Sequence, residues 1–256
     1  LELTGFSFKE LGGMLETEIK DEIVDVNAYE RAKQRTKIQL GDLYKLGNHV
    51  LMCGDATNEE DLQKLMGEEK ADLGLTDPPY NVGYKYENYN DNKTEEEYEQ
   101  FCRAFFEQLT KYSEFQAITP GTVNLRLWAK IGEWKSIAPW IKRNTQNSGE
   151  ISHLRLWEPI IFYGKPKRRR PTDIFEYNIE STKIAYTYPK PLKLFADLIK
   201  NFDIQTVLDT FAGSGTTLIA CEKLNKRAFL IEIDPVYCQV IIDRWEKLSK
   251  KKAVKV

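Results

Sequence analysis

The chain has 256 residues, 41% hydrophobic and 30% charged, with a formal net charge of −2. That length gives one large domain or two small ones with room for a substantial core, and the composition excludes a disordered or fibrous chain. No apolar run reaches the ~20 residues that span a bilayer, no signal peptide opens the chain, and an initial Leu in place of Met is expected of a piece of a longer protein.

Charge is unevenly spread. Residues 126–170 hold eleven Lys/Arg against three acids, Glu133, Glu150 and Glu158, whereas residues 1–30 hold eight acids against two lysines. A basic middle in an acidic chain suits local phosphate contact, or is an ordinary solvated face. Cys53, Cys102, Cys221 and Cys238 form no CxxC pair, and with only two histidines the reading is reduced, mostly buried thiols and no metal.

In chain order, residues 1–37 lack a strand pattern and read as a linker, N-terminal extension or loosely packed helix, so the folded domain is expected over residues 38–256. His49–Asp55 reads as a strand ending at an acid, and Asn58–Met66 as a helix with Leu62, Leu65 and Met66 on one face. Ala71–Thr76 reads as a short buried strand running into Asp77-Pro78-Pro79-Tyr80-Asn81.

Two prolines fix φ twice and remove two N–H donors, and each residue before a proline is pushed to extended geometry. The result is a stiff strip offering only acceptors, the Asp77 carboxylate and the carbonyls of Asp77 and Pro78, beside the flat face of Tyr80. An exocyclic amine on a flat heterocycle, adenine or cytosine, suits such a strip. Ligands of open α/β sheets bind at strand C-terminal ends. Pro-Pro-Tyr-Asn alone is also a turn.

Asn81–Lys93 reads as a loop bordering the strip, either closing over a ligand or plain surface. Thr94 with Glu97 makes a capping box for a helix whose stripe is Tyr98, Phe101, Cys102, Phe105, Phe106 and Leu109. Phe115–Ile118 and Glu158–Tyr163 are strand candidates. Trp128, Trp134, Trp140 and Trp157 fill core or stack on bases, core being favoured by apolar flanks. Residues 142–186 form a modest basic recognition segment with its sharpest cluster at Lys165, Lys167, Arg168, Arg169 and Arg170, for phosphates, guanine edges or solvent. Pro191 opens a further helix.

Thr206–Thr210 is a β-branched strand. It leads through Phe211-Ala212-Gly213-Ser214-Gly215-Thr216-Thr217 into a helix near Leu218–Lys226 and a strand Arg227–Glu232. A glycine turn there lets a ligand approach the backbone, and the helix N-terminus favours a carboxylate or phosphate. Glu232 lies 19 positions after Gly213, close to the ~20-residue spacing at which an acid meets ribose hydroxyls. The loop has no P-loop lysine, and Leu218 stands where a dinucleotide fingerprint wants glycine. A nucleotide cofactor without those extras fits S-adenosylmethionine.

Asp77-Pro-Pro-Tyr80 together with Phe211-Ala-Gly-Ser-Gly-Thr-Thr217 resembles the DNA amino-methyltransferases, which methylate N6 of adenine or N4 of cytosine. Catalytic motif first and cofactor motif last resembles their β group. The resemblance covers roughly Lys37–Lys250. It implies an α/β, Rossmann-like, S-adenosylmethionine-dependent methyltransferase fold with circularly permuted motif order. Residues 5–55 resemble the join in proteins with an upstream ParB-like domain.

The resemblance implies catalytic roles for Asp77, Pro78, Pro79 and Tyr80. It places Asp55 at the cofactor's adenine amine and Phe211, Gly213, Ser214, Gly215 and Thr216 around its methionine end. Asp209 falls near the amino group, Lys190 of Tyr188-Pro-Lys-Pro191 at the carboxylate, and Glu232 at the ribose. Turn capping is the other reading of Asp55 and Asp209. Asp at the first motif position favours adenine, with cytosine-N4, RNA, or an inactive DNA-binding module as rivals. The target base must be flipped out of the duplex. No covalent nucleophile is needed, and Cys238 lacks the preceding proline of a carbon-5 enzyme. DNA is the expected partner, in the cytoplasm or at the nucleoid and in a restriction-modification setting. Target choice is expected from the basic segment, a partner, a homodimer or an upstream domain.

Overall fold

The computed structural model describes residues 25–83, 89–145, 156–166, 173–179 and 189–256. Its strands are β1 (Leu43–Leu46), β2 (His49–Cys53), β3 (Ala71–Thr76), β4 (Ser113–Ile118), β5 (Trp134–Ile141), β6 (Trp157–Gly164), β7 (Phe175–Glu176), β8 (Thr206–Asp209), β9 (Arg227–Glu232) and β10 (Val254–Lys255). They form a single sheet in the order β10-β1-β2-β9-β8-β3-β4-β6-β5-β7. The central five, β2-β9-β8-β3-β4, are parallel, and both flanks carry antiparallel pairs.

The helices are α1 (Ala28–Lys33), α2 (Glu59–Met66), α3 (Glu95–Lys111), α4 (Leu125–Ile131), α5 (Leu192–Lys200), α6 (Thr216–Lys223) and α7 (Pro235–Ser249). Central strands are buried on both faces, as parallel strands must be when helices cover each side. Leu73, Leu75, Val207, Ala228 and Leu230 face one core with Leu194, Leu198, Ile219 and Ile241 of α5, α6 and α7. Leu208, Phe229 and Ile231 face the other, with Leu62, Phe105 and Trp128 of α2, α3 and α4. The period-2 alternation thus serves two cores in a three-layer sandwich.

Local signals act as the sequence implies. Asn58 Oδ1 accepts the N–H groups of Glu60 and Asp61 at the start of α2, and Thr94 with Glu97 forms the reciprocal capping box of α3. Pro191 stands at the N-cap of α5, one place before its expected position.

Three expectations need correction. Part of residues 25–37 packs against the domain: Tyr29 and Ala32 of α1 are buried against Val236, Tyr237 and Val240 of α7, and the Tyr29 hydroxyl donates to Asp234 at 2.9 Å. Residues 1–24 lie outside the described residues. The four tryptophans divide, with Trp128 and Trp140 buried but Trp134 and Trp157 42% and 41% exposed on the β5–β6 pair. Strand β5 was not among the strand candidates, and it carries Pro139, which lacks a ladder N–H. It is tolerated opposite Pro159, where neither partner has an N–H to offer.

Candidate active site

The sheet order locates the site. The chain leaves β3 through α3 to reach β4 on one side, and leaves β8 through α6 to reach β9 on the other. Neighbouring strands β3 and β8 therefore form the switch point where a crevice opens beyond the carboxyl ends of an α/β sheet. Their ladder pairs Leu73 with Val207 and Gly74 with Leu208, and beyond it the Thr76 hydroxyl donates to Asp209 at 2.9 Å. A cleft of about 700 Å³ opens there, lined by both sequence motifs. Asp77 through Tyr80, Asp55, Lys190, Asp209, Phe211, Gly213, Ser214, Thr216 and Glu232 all border it, whereas Gly215, between two of them in the chain, does not.

The acceptor strip is held by hydroxyls. Asp77 Oδ1 accepts from the Thr119 hydroxyl at 2.7 Å and the Tyr80 hydroxyl at 2.9 Å. The Pro79 carbonyl accepts from the Tyr98 hydroxyl at 2.7 Å, and the Tyr80 carbonyl from Asn124 Nδ2 at 3.0 Å. Asn81 follows at φ 56°, which turns the chain away. Among the described residues the Pro78 carbonyl accepts no hydrogen bond while bordering the cleft, so an acceptor stands ready for an incoming donor. Behind Tyr80, Gly121 sits at φ 70°, and a Cβ there would fall 2.8 Å from the Tyr80 ring.

Lys190, with Glu158 and Lys142, which sequence reasoning missed, completes this end of the cleft. Lys190 lies 2.7 Å from Asp77 Oδ2 and 3.1 Å from the Tyr80 hydroxyl. The resemblance expects it at a cofactor carboxylate, and its ammonium sits on the strip, bordering the same cleft. The Tyr80 hydroxyl also lies 3.2 Å from Glu158 Oε2, and Glu158 Oε1 pairs with Lys142. Burial pushes Glu158 up, but Lys190 and then Lys142 hold it below the usual carboxylate range. Burial, with Asp77 and Glu158 adding to it, drives the Tyr80 phenol well above its ordinary value. Glu158 had one sequence signal, a lone acid opening an apolar strand, and its partners become visible only with the strand order. Lys142, counted with the basic segment, is buried here.

The other end of the cleft is acidic. Asp209 accepts from the Thr76 and Thr217 hydroxyls and the Phe211 N–H, which braces the glycine turn, and burial pushes it up to about 6. Glu232 accepts the Gly213 N–H at 2.7 Å and the Asp234 N–H at 2.9 Å, and burial pushes it up to about 7. Asp55 accepts from the N–H and hydroxyl of Thr57, both at 2.8 Å, so the capping reading holds for one of its oxygens. Gly213 and Gly215 have φ of 52° and 85°. A Cβ on Gly213 would meet nothing nearer than 4.0 Å, so its backbone stays open to a ligand. Arg244 holds the Ser214 carbonyl and hydroxyl, and Phe211 packs edge-on against Phe105 with ring centroids 4.8 Å apart.

These features fit a cationic nucleoside. Asp55, Asp209, Glu232 and Asp234 would repel phosphates and attract an ammonium or sulfonium. Acceptors on Glu232 and Asp55 suit ribose hydroxyls and an adenine amine.

Of the basic cluster, Lys165 is described and exposed. Residues 167–170, Tyr188 and part of the Asn81–Lys93 loop lie outside the described residues. The ends of that loop are pinned by Asp91, whose carboxylate accepts the N–H groups of Asn81 and Val82 at 2.9 and 3.0 Å. All four cysteines are free and buried, and among the described residues no helix is long and apolar enough to cross a membrane.

A Rossmann-like sheet with an acceptor strip and a glycine turn meeting at its switch point defines a class, the methyltransferases. Solved structures share this fold. The PvuII DNA methyltransferase, cytosine-N4-specific, is 17% identical with a TM-score of 0.60, covering 80% of this chain and 91% of its own. The M1.HpyAVI–SAM complex is 19% identical with a TM-score of 0.54, covering 76% of this chain and 98% of its own. The Type II methyltransferase M.HpaI of Haemophilus parainfluenzae is 22% identical over 239 residues, 76% of this chain and 73% of that protein. The N6/N4 DNA methylase family model matches residues 71–184 and 122–243. The chain therefore belongs to the DNA amino-methyltransferases, and the comparisons place it in their β group.

Proposed function

We propose that this DNA amino-methyltransferase acts on N6 of adenine, on a base flipped from the duplex, at a specific sequence. The single observation that carries the amino-methyl transfer is the Pro78 carbonyl, unpartnered among the described residues and next to Asp77 on the cleft wall, and Asp at the first motif position favours adenine. A planar amine directs one N–H at each of these acceptors. Its lone pair is then drawn out of conjugation with the ring, and Tyr80 offers the ring a stacking face. Asp77 stabilises the positive charge that develops on nitrogen and is the nearest anion to take the proton released there. Positioning supplies much of the remaining acceleration.

The methyl donor is S-adenosylmethionine, whose sulfonium carries an activated methyl group. Glu232 would hold its ribose, Asp55 its adenine amine, and the turn from Phe211 to Thr216, braced by Asp209, its methionine end. The acidic lining and the open Gly213 backbone support this assignment. Domain limits of roughly 25–256, DNA contact through Lys165 and the adjoining basic residues, and a role in restriction-modification complete the proposal.

Cytosine-N4 is the second reading, favoured by the fold shared with the PvuII enzyme. Nucleoside analysis of DNA and RNA incubated with the protein and tritiated donor tests both. N6-methyladenine in DNA is expected. N4-methylcytosine alone would transfer the reading to cytosine, and label confined to RNA would overturn it.

A further inference from the structure

Two walls of the acidic end of the cleft are held from far upstream in the chain. Asp234 and Tyr237 border the cleft beside Glu232, and α1 grips both. The Tyr29 hydroxyl donates to Asp234 Oδ2 at 2.9 Å, and the Tyr29 and Tyr237 rings lie with centroids 4.9 Å apart. All three side chains are buried. Just past α1, the Thr36 hydroxyl lies 3.5 Å from the Pro235 carbonyl, so the segment meets the start of α7 a second time.

Asp234 is the middle of a polar chain. Its Oδ1 accepts the Val236 N–H at 2.7 Å and caps α7. Its own N–H donates to Glu232 Oε1 at 2.9 Å, and Glu232 Oε2 accepts the Gly213 N–H at 2.7 Å. Contacts therefore run without a break from α1 through Asp234 and Glu232 to the glycine turn. A buried carboxylate oxygen stripped of its donor costs more than a hydrogen bond merely exchanged for water. Without the Tyr29 hydroxyl, the nearest solvent for Oδ2 is the cleft that Asp234 borders. A turn that way brings its charge toward Glu232 and disturbs the N–H that orients it.

We propose that Tyr29 is a positioning residue for the nucleoside half of the cofactor, acting through Asp234 on Glu232. The inference rests on the assignment of Glu232 to the ribose. Tyr29 touches no reacting atom. Its hydroxyl holds Asp234 away from the cleft, and its ring backs Tyr237. Displacement of α1 from α7 thus loosens the cofactor while leaving the acceptor strip in place.

The test is calorimetry on the full chain with two ligands. One is sinefungin, and the other is 5′-methylthioadenosine, which keeps the adenine and ribose but lacks the amino-acid end. Tyr29→Phe keeps the ring and removes only the hydroxyl. It is expected to weaken both ligands by the same factor, roughly tenfold, near the lower limit of one hydrogen bond to a charged group. Asp234→Ser keeps a capping oxygen but is too short to reach Tyr29, so in that background Tyr29→Phe should add nothing. Arg35→Gln releases the exposed ion pair with Asp243, elsewhere on the same contact with α7, and should leave both affinities unchanged. Unchanged affinity in Tyr29→Phe, a loss confined to sinefungin, a full further loss in the Asp234→Ser background, or the same loss in Arg35→Gln would each overturn the proposal with wild-type binding intact. A wild-type chain that binds neither ligand would overturn the cofactor reading itself. Undiminished binding of both ligands by Glu232→Gln would remove the ribose assignment, and the proposal with it.

Discussion

Gly121→Ala should separate methyl transfer from cofactor binding. Gly121 adopts φ 70° and ψ 156°, a region essentially reserved for glycine, and a side chain there costs ~1–3 kcal/mol. The new methyl would also lie 2.8, 2.9 and 3.2 Å from three carbons of the Tyr80 ring. Ordinary carbon contacts are about 3.5–4.0 Å, so the ring must retreat by roughly 0.7 Å. It cannot do so independently, because Asn124 grips the Tyr80 carbonyl and Asp77, Glu158 and Lys190 grip its hydroxyl. The ring therefore carries Asp77 out of place, and a displacement near 1 Å costs about 10²-fold in rate. The glycine turn after β8 is untouched. Single-turnover tritium transfer should fall by about that factor, with calorimetric affinity for sinefungin unchanged. Strain of ~1–3 kcal/mol should lower the melting temperature by roughly 2–12 °C. Wild-type turnover in Gly121→Ala, or equal loss of turnover and affinity, would refute the coupling of Gly121 to the strip through Tyr80.

Further outcomes follow from the same geometry. Asp77→Ala should abolish methyl transfer and leave sinefungin affinity largely intact by calorimetry, since Asp77 lies on the strip and not in the acidic end. Gly213→Val should abolish cofactor binding in the same assay, because a β-branched side chain at φ 52° both strains the turn and fills its open side. Glu232 gives a pH signature. Its pKa in the fold, about 7, lies above the ordinary 4.5, so the contribution of this group to stability is full below 4.5 and is lost as pH rises through 7. Cofactor binding needs the carboxylate and moves the other way. Affinity should climb by up to about tenfold per pH unit below 7 and level off above, and Glu232→Gln should erase that step.

Much of the fold was legible because local signals agreed. Residues 71–76 and 227–232 are strands with the expected bounds, and Asn58 and Thr94 cap the helices that follow them. The glycine turn and the Pro-Pro strip each pointed to one end of the cleft because their backbone chemistry is local. Long-range pairing is not local, so Glu158 and Lys142 were read as scattered charges. Only the antiparallel register of β5 and β6, with Trp140 opposite Glu158, brings them to Tyr80. The contacts of Lys190 with Asp77 and Tyr80 were unread for the same reason, since a motif names a residue but not the neighbour it will face. Strand β5 carries Pro139, a residue that argues against a ladder strand, and α4 has only seven residues, too few for a clear apolar stripe.

The strand order also dictates how the protein can be made. Strands β8 and β9 lie between β2 and β3, yet they come from the last third of the chain. A nascent chain that has emerged only through β7 holds β2 and β3 with a two-strand gap between them, each presenting bare N–H and C=O groups. Such edges invite pairing with other chains, and the wait lasts until some sixty more residues are translated, a few seconds at ~5–20 residues per second. Chaperone dependence during synthesis should accordingly centre on this gap, and a ribosome stalled before residue 206 should display a protein that is protease-sensitive along both of its inner strands.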